Sequence, residues 1–264
     1  MKIRLIRKQE QKLIDKCREI AQKNYLDNLV LIGDLYFPCI NLTNIYGLFS
    51  QNNKLLSFFT VFRGFKELSV VLPVKLKSQL LAKIMAFLQE NLPQQFSLVS
   101  LELKEKNLSD FFNITGFTSE YCMKIERKNT PRALPFSFLK KVREEDQERI
   151  ESFYTTVGAY AWNEIQLESG FYYYIELNDQ IVACGGTHFE TPSLAQLGNI
   201  YVLKEFRRQK LGTILTTNIT HDILAKKKLA TLFVFQDNLP ALHLYKKLGF
   251  EIYKPVHIFF CEKL

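Results

Sequence analysis

The sequence predicts an α/β protein with a mixed sheet and helices on both faces, built as two similar halves in tandem. Three observations lead there. Apolar, β-favouring runs alternate with helical periodicities along the whole chain. The order of these elements in residues 1–128 is broadly repeated in residues 129–264. Between the halves, residues 128–135 (KNTPRALP) contain two prolines and no apolar period, which marks the boundary. The expected domains are therefore 1–128 and 129–264.

Residues 9–28 read as a helix, with Leu13, Ile14, Cys17, Ile20 and Ala21 on one face. Strands are expected at 45–49, 55–62 and 68–72, where β-branched and aromatic residues gather, followed by a helix at 76–92 and a strand at 96–103. A last strand at 121–125 follows a turn at Gly116. In the second half a helix at about 144–157 precedes strands at 171–177, 180–189 and 195–203. A helix at 211–227, a strand at 230–236, a short helix at 239–248 and strands to the C-terminus complete the order.

With 264 residues, 47% of them hydrophobic and 23% charged, the chain has the composition of a folded, water-soluble protein. The N-terminus carries charges every few residues and lacks a signal-peptide core. The apolar stretch 29–49 is broken by Gly33, Asp34, Pro38 and Asn41, so no membrane span is expected. Five scattered cysteines (Cys17, Cys39, Cys122, Cys184, Cys261) form no zinc or disulfide pattern and suggest a reducing, cytoplasmic setting. The formal charge of +8 sits almost wholly in residues 1–128, with 19 basic against 12 acidic side chains. Scattered lysines on solvated faces account for that surplus, and no nucleic-acid partner is expected.

The informative segment is residues 197–213, LGNIYVLKEFRRQKLGT. An apolar strand runs into a basic, Gly-containing loop that opens a helix with Leu215, Ile219 and Ile223 on its buried face. Such a junction aims free backbone N–H groups and the positive helix end at one spot, which suits a pyrophosphate. A solvated basic loop would read the same way, and a second segment decides between them. In residues 238–250, NLPALHLYKKLGF, Asn238 can cap a helix and Pro240 fits its first turn. Ala241, Leu244, Tyr245 and Leu248 share one face, and Gly249 suits the left-handed end.

Together the two segments resemble the GNAT superfamily of acyl-CoA-dependent N-acyltransferases. The family pattern Q/R-x-x-G-x-G/A reads here as Arg207-x-x-Lys210-x-Gly212, and N-x-x-A-x-x-x-Y-x-x-x-G-F is complete as Asn238, Ala241, Tyr245, Gly249 and Phe250. The wording of the strand and loop is most similar to the glycine N-acyltransferase-like branch, likewise built from two GNAT-type halves. The resemblance implies a catalytic C-terminal half and a degenerate N-terminal half, whose segment 67–81 lacks the cradle's glycine and arginine.

It further implies acetyl-CoA or another acyl-CoA as co-substrate, no metal, and a small-molecule or peptide amine as acceptor. Ile200, Tyr201 and Val202 are expected along the pantetheine arm. Arg207, Arg208, Gln209, Lys210, Leu211, Gly212 and Thr213 are expected around the pyrophosphate, and Asn238 beside the cofactor arm. The implied mechanism is direct attack of the amine in a ternary complex, with Tyr245 as general acid for the departing thiolate. Many relatives carry a Glu base on the fourth or fifth strand, which this chain lacks there. His188, Glu190, Glu164 and Glu168 stand nearby in sequence, but each reads better as a surface residue or a satisfied polar group, and no base is assigned. Cys184 reads as a small buried hydrophobe rather than a nucleophile. At Lys210, where the family has glycine, the intact Gly212 favours a loop that needs no positive φ. Two alternatives stay open at this stage: a non-catalytic CoA-binding module, and a tandem-GNAT transferase using aminoacyl-tRNA, which would have no need of a pyrophosphate cradle.

Overall fold

Charged and apolar residues alternate in Lys2–Ile6, and this segment forms β1 of a computed structural model that describes residues 1–264. The chain divides into two units, one of Met1–Glu120 with Pro255–Leu264 and the other of Tyr121–Lys254. In the first unit β1 is followed by α1 (Gln11–Gln22), α2 (Leu29–Gly33), β2 (Thr43–Phe49), β3 (Leu55–Phe62) and β4 (Ser69–Val71). Then come α3 (Ser78–Asn91), β5 (Gln95–Ser100) and the start of β6 (Phe112–Glu126). β1 to β4 pair antiparallel, whereas β4 and β5, joined by α3, pair parallel.

The second unit repeats that plan. The remainder of β6 leads to β7 (Leu139–Lys141), α4 (Gln147–Val157), β8 (Tyr173–Leu177), β9 (Gln180–Glu190) and β10 (Leu194–Val202). α5 (Leu211–Lys226), β11 (Leu229–Phe235), α6 (Leu239–Lys247) and β12 (Glu251–Lys263) complete the chain. β7 to β10 are antiparallel, and β10 and β11, joined by α5, are parallel. From Pro255 onward β12 belongs to the first unit, where His257–Glu262 pairs antiparallel with β5.

Side-chain alternation divides the second unit's sheet between two helical layers. On one face Ile175, Val182, Leu197 and Leu232 pack with Leu215, Ile219 and Ile223 of α5. On the other, Tyr172, Tyr174 and Cys184 pack with Ile150, Phe153 and Tyr154 of α4. Each fully buried side chain of this size contributes roughly 1.5–3 kcal/mol, so both layers hold the sheet firmly. Arg127 closes the far end of α5, its Nε donating to Leu224 O and Lys227 O at 2.9 Å each.

The mixed α/β architecture with helices on both faces agrees with the sequence reading, and three local expectations need correction. The helix at 9–28 stops at Gln22, because Asn28 turns its side chain onto the backbone: Nδ2 donates to Ala21 O, and Oδ1 accepts from Val74 N. Gly116 is no turn but lies inside β6, which starts at Phe112, and its strand from Tyr121 falls in the second unit. The strands β1 and β7 and the helix α2 were not anticipated. β1 and β7 are short and half charged, and α2 is one apolar turn without periodicity.

The first unit buries two acidic residues, Asp34 and Glu120. Asp34 is 6% exposed and accepts a 2.5 Å hydrogen bond from Thr60 Oγ1, which only partly offsets burial, so its pKa is pushed up to about 7. Between an unfolded value near ~3.9 and the folded value, the native state holds a proton that the unfolded chain has released. This contribution is fully present below about pH 4 and is lost as pH rises through the folded pKa, on the order of 4 kcal/mol in all. Asp34→Asn should abolish that loss, so its urea midpoint should exceed wild type by a growing margin as pH rises. Parallel pH profiles for the two proteins would contradict the assignment.

Candidate active site

The site begins where two strands part. β10 and β11 pair only from Leu194–Leu197 with Leu229–Leu232, although β10 runs on to Val202 and β11 to Phe235. From Gly198 to Val202 the β10 edge therefore has no strand partner on its β11 side. On its β9 side the register steps between Gly198↔Gly186 and Tyr201↔Cys184, so Asn199 and Ile200 together oppose Gly185. That is a bulge, with Asn199 in the left-handed region at φ 53°. Gly198 is required beside it: a Cβ there would lie 1.4 Å from Cδ2 of His188, whose ring crosses the strand at that point.

The loop after β10 folds back on the strand, with Arg207 Nε donating to Val202 O at 3.1 Å. Arg207, Arg208, Gln209 and Lys210 are exposed. Lys210 is the N-cap residue of α5 and offers no side-chain cap; the first helical bond is Ile214 N to Lys210 O. The N–H groups of Leu211, Gly212 and Thr213 are thus a helix's uncapped first turn, at the positive end of its dipole. A Cβ at Gly212 would make one ordinary contact, with Val202 Cγ2 at 3.6 Å, so the backbone beside these donors is not tightly covered. Uncapped donors and three cationic side chains fit a pyrophosphate.

The expectation for Lys210 is overturned. Its φ is 63° and ψ 7°, and Arg208 likewise has φ 63°. The chain must reverse into the helix here, and retaining Gly212 does not remove that need, because Gly212 is already helical. A left-handed non-glycine residue costs about 1 kcal/mol. Lys210→Gly should therefore raise the melting temperature, by about 2–4 °C. A lower melting temperature would show that the lysine side chain contributes more than its backbone costs.

α6 follows from its cap. Asn238 Oδ1 accepts from Ala241 N at 3.2 Å, Pro240 lies in the first turn, and Gly249 ends the helix at φ 95°. Tyr245 is 8% exposed and packs edge-on to Phe250 with centroids 6.0 Å apart. Burial pushes its pKa up to about 12 and keeps it protonated.

Ile200, Tyr201 and Val202 lie on the unpaired β10 edge, and the residues 207–213 follow directly in the loop and first turn. The base candidates are dispersed. Glu190 is ion-paired with Lys227 at 3.2 Å and accepts from Gly170 N, while Glu164 accepts from Gln147 and Glu168 is exposed. Burial lowers the His188 pKa to about 4, which holds the ring neutral. Cys184 is fully buried and its thiol is pushed up to about 12, consistent with a packing role. The bulge itself was missed from the sequence. Its one signal is Gly198-Asn199 inside a strand, since asparagine is the residue after glycine that most readily accepts positive φ.

Residues 137–250 match the model of the acetyltransferase (GNAT) family. Solved structures extend the likeness to the whole chain, at the level of fold. A Drosophila protein is 14% identical with a TM-score of 0.74, covering 98% of each chain. A GNAT-family acetyltransferase from Colwellia psychrerythraea is 17% identical with a TM-score of 0.62, covering both chains completely. A tandem GNAT protein from the clavulanic acid biosynthesis pathway is 12% identical with a TM-score of 0.66, covering 99% of this chain and 98% of the other. The fold is thus that of two GNAT-like domains in tandem. No curated protein matches by sequence. No helix is long and apolar enough to cross a membrane.

Proposed function

We propose that the protein is an acyl-CoA-dependent N-acyltransferase, with its working site in residues 129–264 and residues 1–128 as a companion domain that has lost cofactor binding. One observation carries this reading: the parted β10 edge leads straight into a basic loop and an uncapped helix N-terminus. The equivalent junction of the first unit supports the second clause. There β4 pairs with β5 along its whole length, and the loop to α3 has a proline and no glycine.

Acetyl-CoA or a related acyl-CoA would supply the activated acyl group. Arg207, Arg208 and Lys210 attract its phosphates, and the N–H groups of Leu211 to Thr213 receive them. Ile200, Tyr201 and Val202 offer main-chain groups to the pantetheine arm, as a strand partner would. Asn238 spends its carbonyl oxygen on the α6 cap and keeps its Nδ2 for the arm.

Tyr245 serves as general acid for the departing thiolate. Its pKa of about 12 looks too high against a solvated thiol near ~8.5, but the sulfur leaves inside the protein. A thiolate formed away from solvent becomes a stronger base for the same reason that burial raises the Tyr245 phenol, so the two shifts run in the same direction. The acceptor is an amine of a small molecule or peptide.

The test is thiol release from acetyl-CoA in the presence of a panel of amino acids, polyamines and short peptides. Tyr245→Phe should lower kcat roughly 100-fold with the acceptor found, and leave acetyl-CoA affinity within about twofold. Equal turnover of the two proteins, with chemistry rate-limiting, would return Tyr245 to a packing role.

A further inference from the structure

Three buried side chains from outside the cofactor-binding segment converge on the bulge. Tyr154 of α4 donates its hydroxyl hydrogen to Asn199 O at 2.9 Å. Asn199 Nδ2 donates to Gln166 Oε1 at 2.6 Å and to Tyr172 Oη at 3.2 Å, and Tyr172 donates in turn to Gln166 Oε1 at 3.0 Å. Gln166 Nε2 donates to Ala161 O at 3.1 Å, which fixes the way its amide faces. Gln166 and both tyrosines are 2% exposed or less, and Asn199 is 8% exposed.

The network is continuous. Gln166 Oε1 uses both lone pairs, Tyr172 both donates and accepts, and no member carries a charge. Simple space-filling would not ask for this, because apolar side chains of similar size fill a core without any hydrogen bonds to satisfy. A connected buried polar network instead favours a single geometry for what it holds. What it holds is the carbonyl and side chain of the one residue whose positive φ makes the bulge. From that residue the β10 edge continues to Val202 with no partner on its β11 side.

We infer that Gln166, Tyr154, Tyr172 and Asn199 are positioning residues for acyl transfer: they lock the bulge so that the open β10 edge meets the thioester carbonyl in one orientation. The inference rests on the acyl-CoA reading above. It adds to the site two residues of α4 and the following turn that no motif marks.

Isotope-edited infrared difference spectroscopy of acetyl-CoA labelled with carbon-13 at the carbonyl, bound to the full chain, tests it. In the wild-type protein the bound carbonyl band should lie below its position in free solution, as a polarised, hydrogen-bonded carbonyl does. Asn199→Gly keeps the positive φ at no steric cost but removes the anchoring amide. Gln166→Leu fills the same space without polar atoms, and Tyr154→Phe removes one hydroxyl while keeping the ring that stacks on Trp162. Each variant should retain acetyl-CoA affinity within about threefold, because the phosphate contacts are untouched. Each should nevertheless show the carbonyl band displaced toward the free position or broadened. A variant band that coincides with the wild-type one, or a wild-type band that is not shifted on binding, would overturn the inference while leaving acyl-CoA binding standing. Failure of the wild-type protein to bind acetyl-CoA would overturn both.

Discussion

An unpaired strand edge within a sheet is costly, because each buried main-chain N–H or C=O without a partner forfeits about 1–3 kcal/mol. The second unit leaves such an edge along Gly198–Val202 by parting β10 from β11 after Leu197. Much else in that unit follows from the parting. The bulge at Asn199–Ile200 bends β10 away from its neighbour, and the ring of His188 crosses where Gly198 leaves room. The loop beyond Val202 is tied back by Arg207, so that the N-terminus of α5 opens beside the same edge. A ligand that brings its own amides and phosphates satisfies both the edge and the helix end, and the pantetheine and pyrophosphate of an acyl-CoA have that chemistry in that order.

Backbone strain recurs along the same stretch. Asn199, Arg208 and Lys210, three of the seven non-glycine residues with positive φ, lie there. Non-glycine residues held in this conformation cost of order 1–3 kcal/mol each and persist only where surrounding contacts over-determine them. For Asn199 those contacts are the hydrogen bonds of Tyr154, Gln166 and Tyr172. For Lys210 they are the buried Leu211, Leu215 and Ile219, which fix the helix the residue must enter.

Much of this could be read from the sequence, for identifiable reasons. α5 and α6 were legible because their apolar periods are long and their ends carry glycine, proline and asparagine in positions with one structural meaning. β3 was legible because aromatic and other apolar residues fill it. β1 and β7 were not, since their lysines and arginine leave no apolar run to detect. The proposed cradle is suggested in the sequence by the spacing of Arg207, Gly212, Asn238 and Tyr245. The bulge and its network were not, because Tyr154, Gln166, Tyr172 and Asn199 are joined by tertiary contacts across separate elements. The Lys210 conformation was misjudged for a related reason: a single lysine in a basic loop says nothing of its φ until the direction of β10 and the axis of α5 are both known.

The central claim is that the junction of β10 and α5 is a phosphate cradle, and Gly212 allows it to be tested cleanly. A Cβ there meets only Val202 Cγ2, at 3.6 Å, so substitution should leave the fold intact while adding bulk beside the helix N-terminus. Isothermal titration calorimetry with acetyl-CoA should show saturable binding to the wild-type protein and at least a roughly tenfold weaker affinity for Gly212→Val, with unchanged melting temperature. No binding by the wild-type protein, or equal binding by the two, would contradict the account.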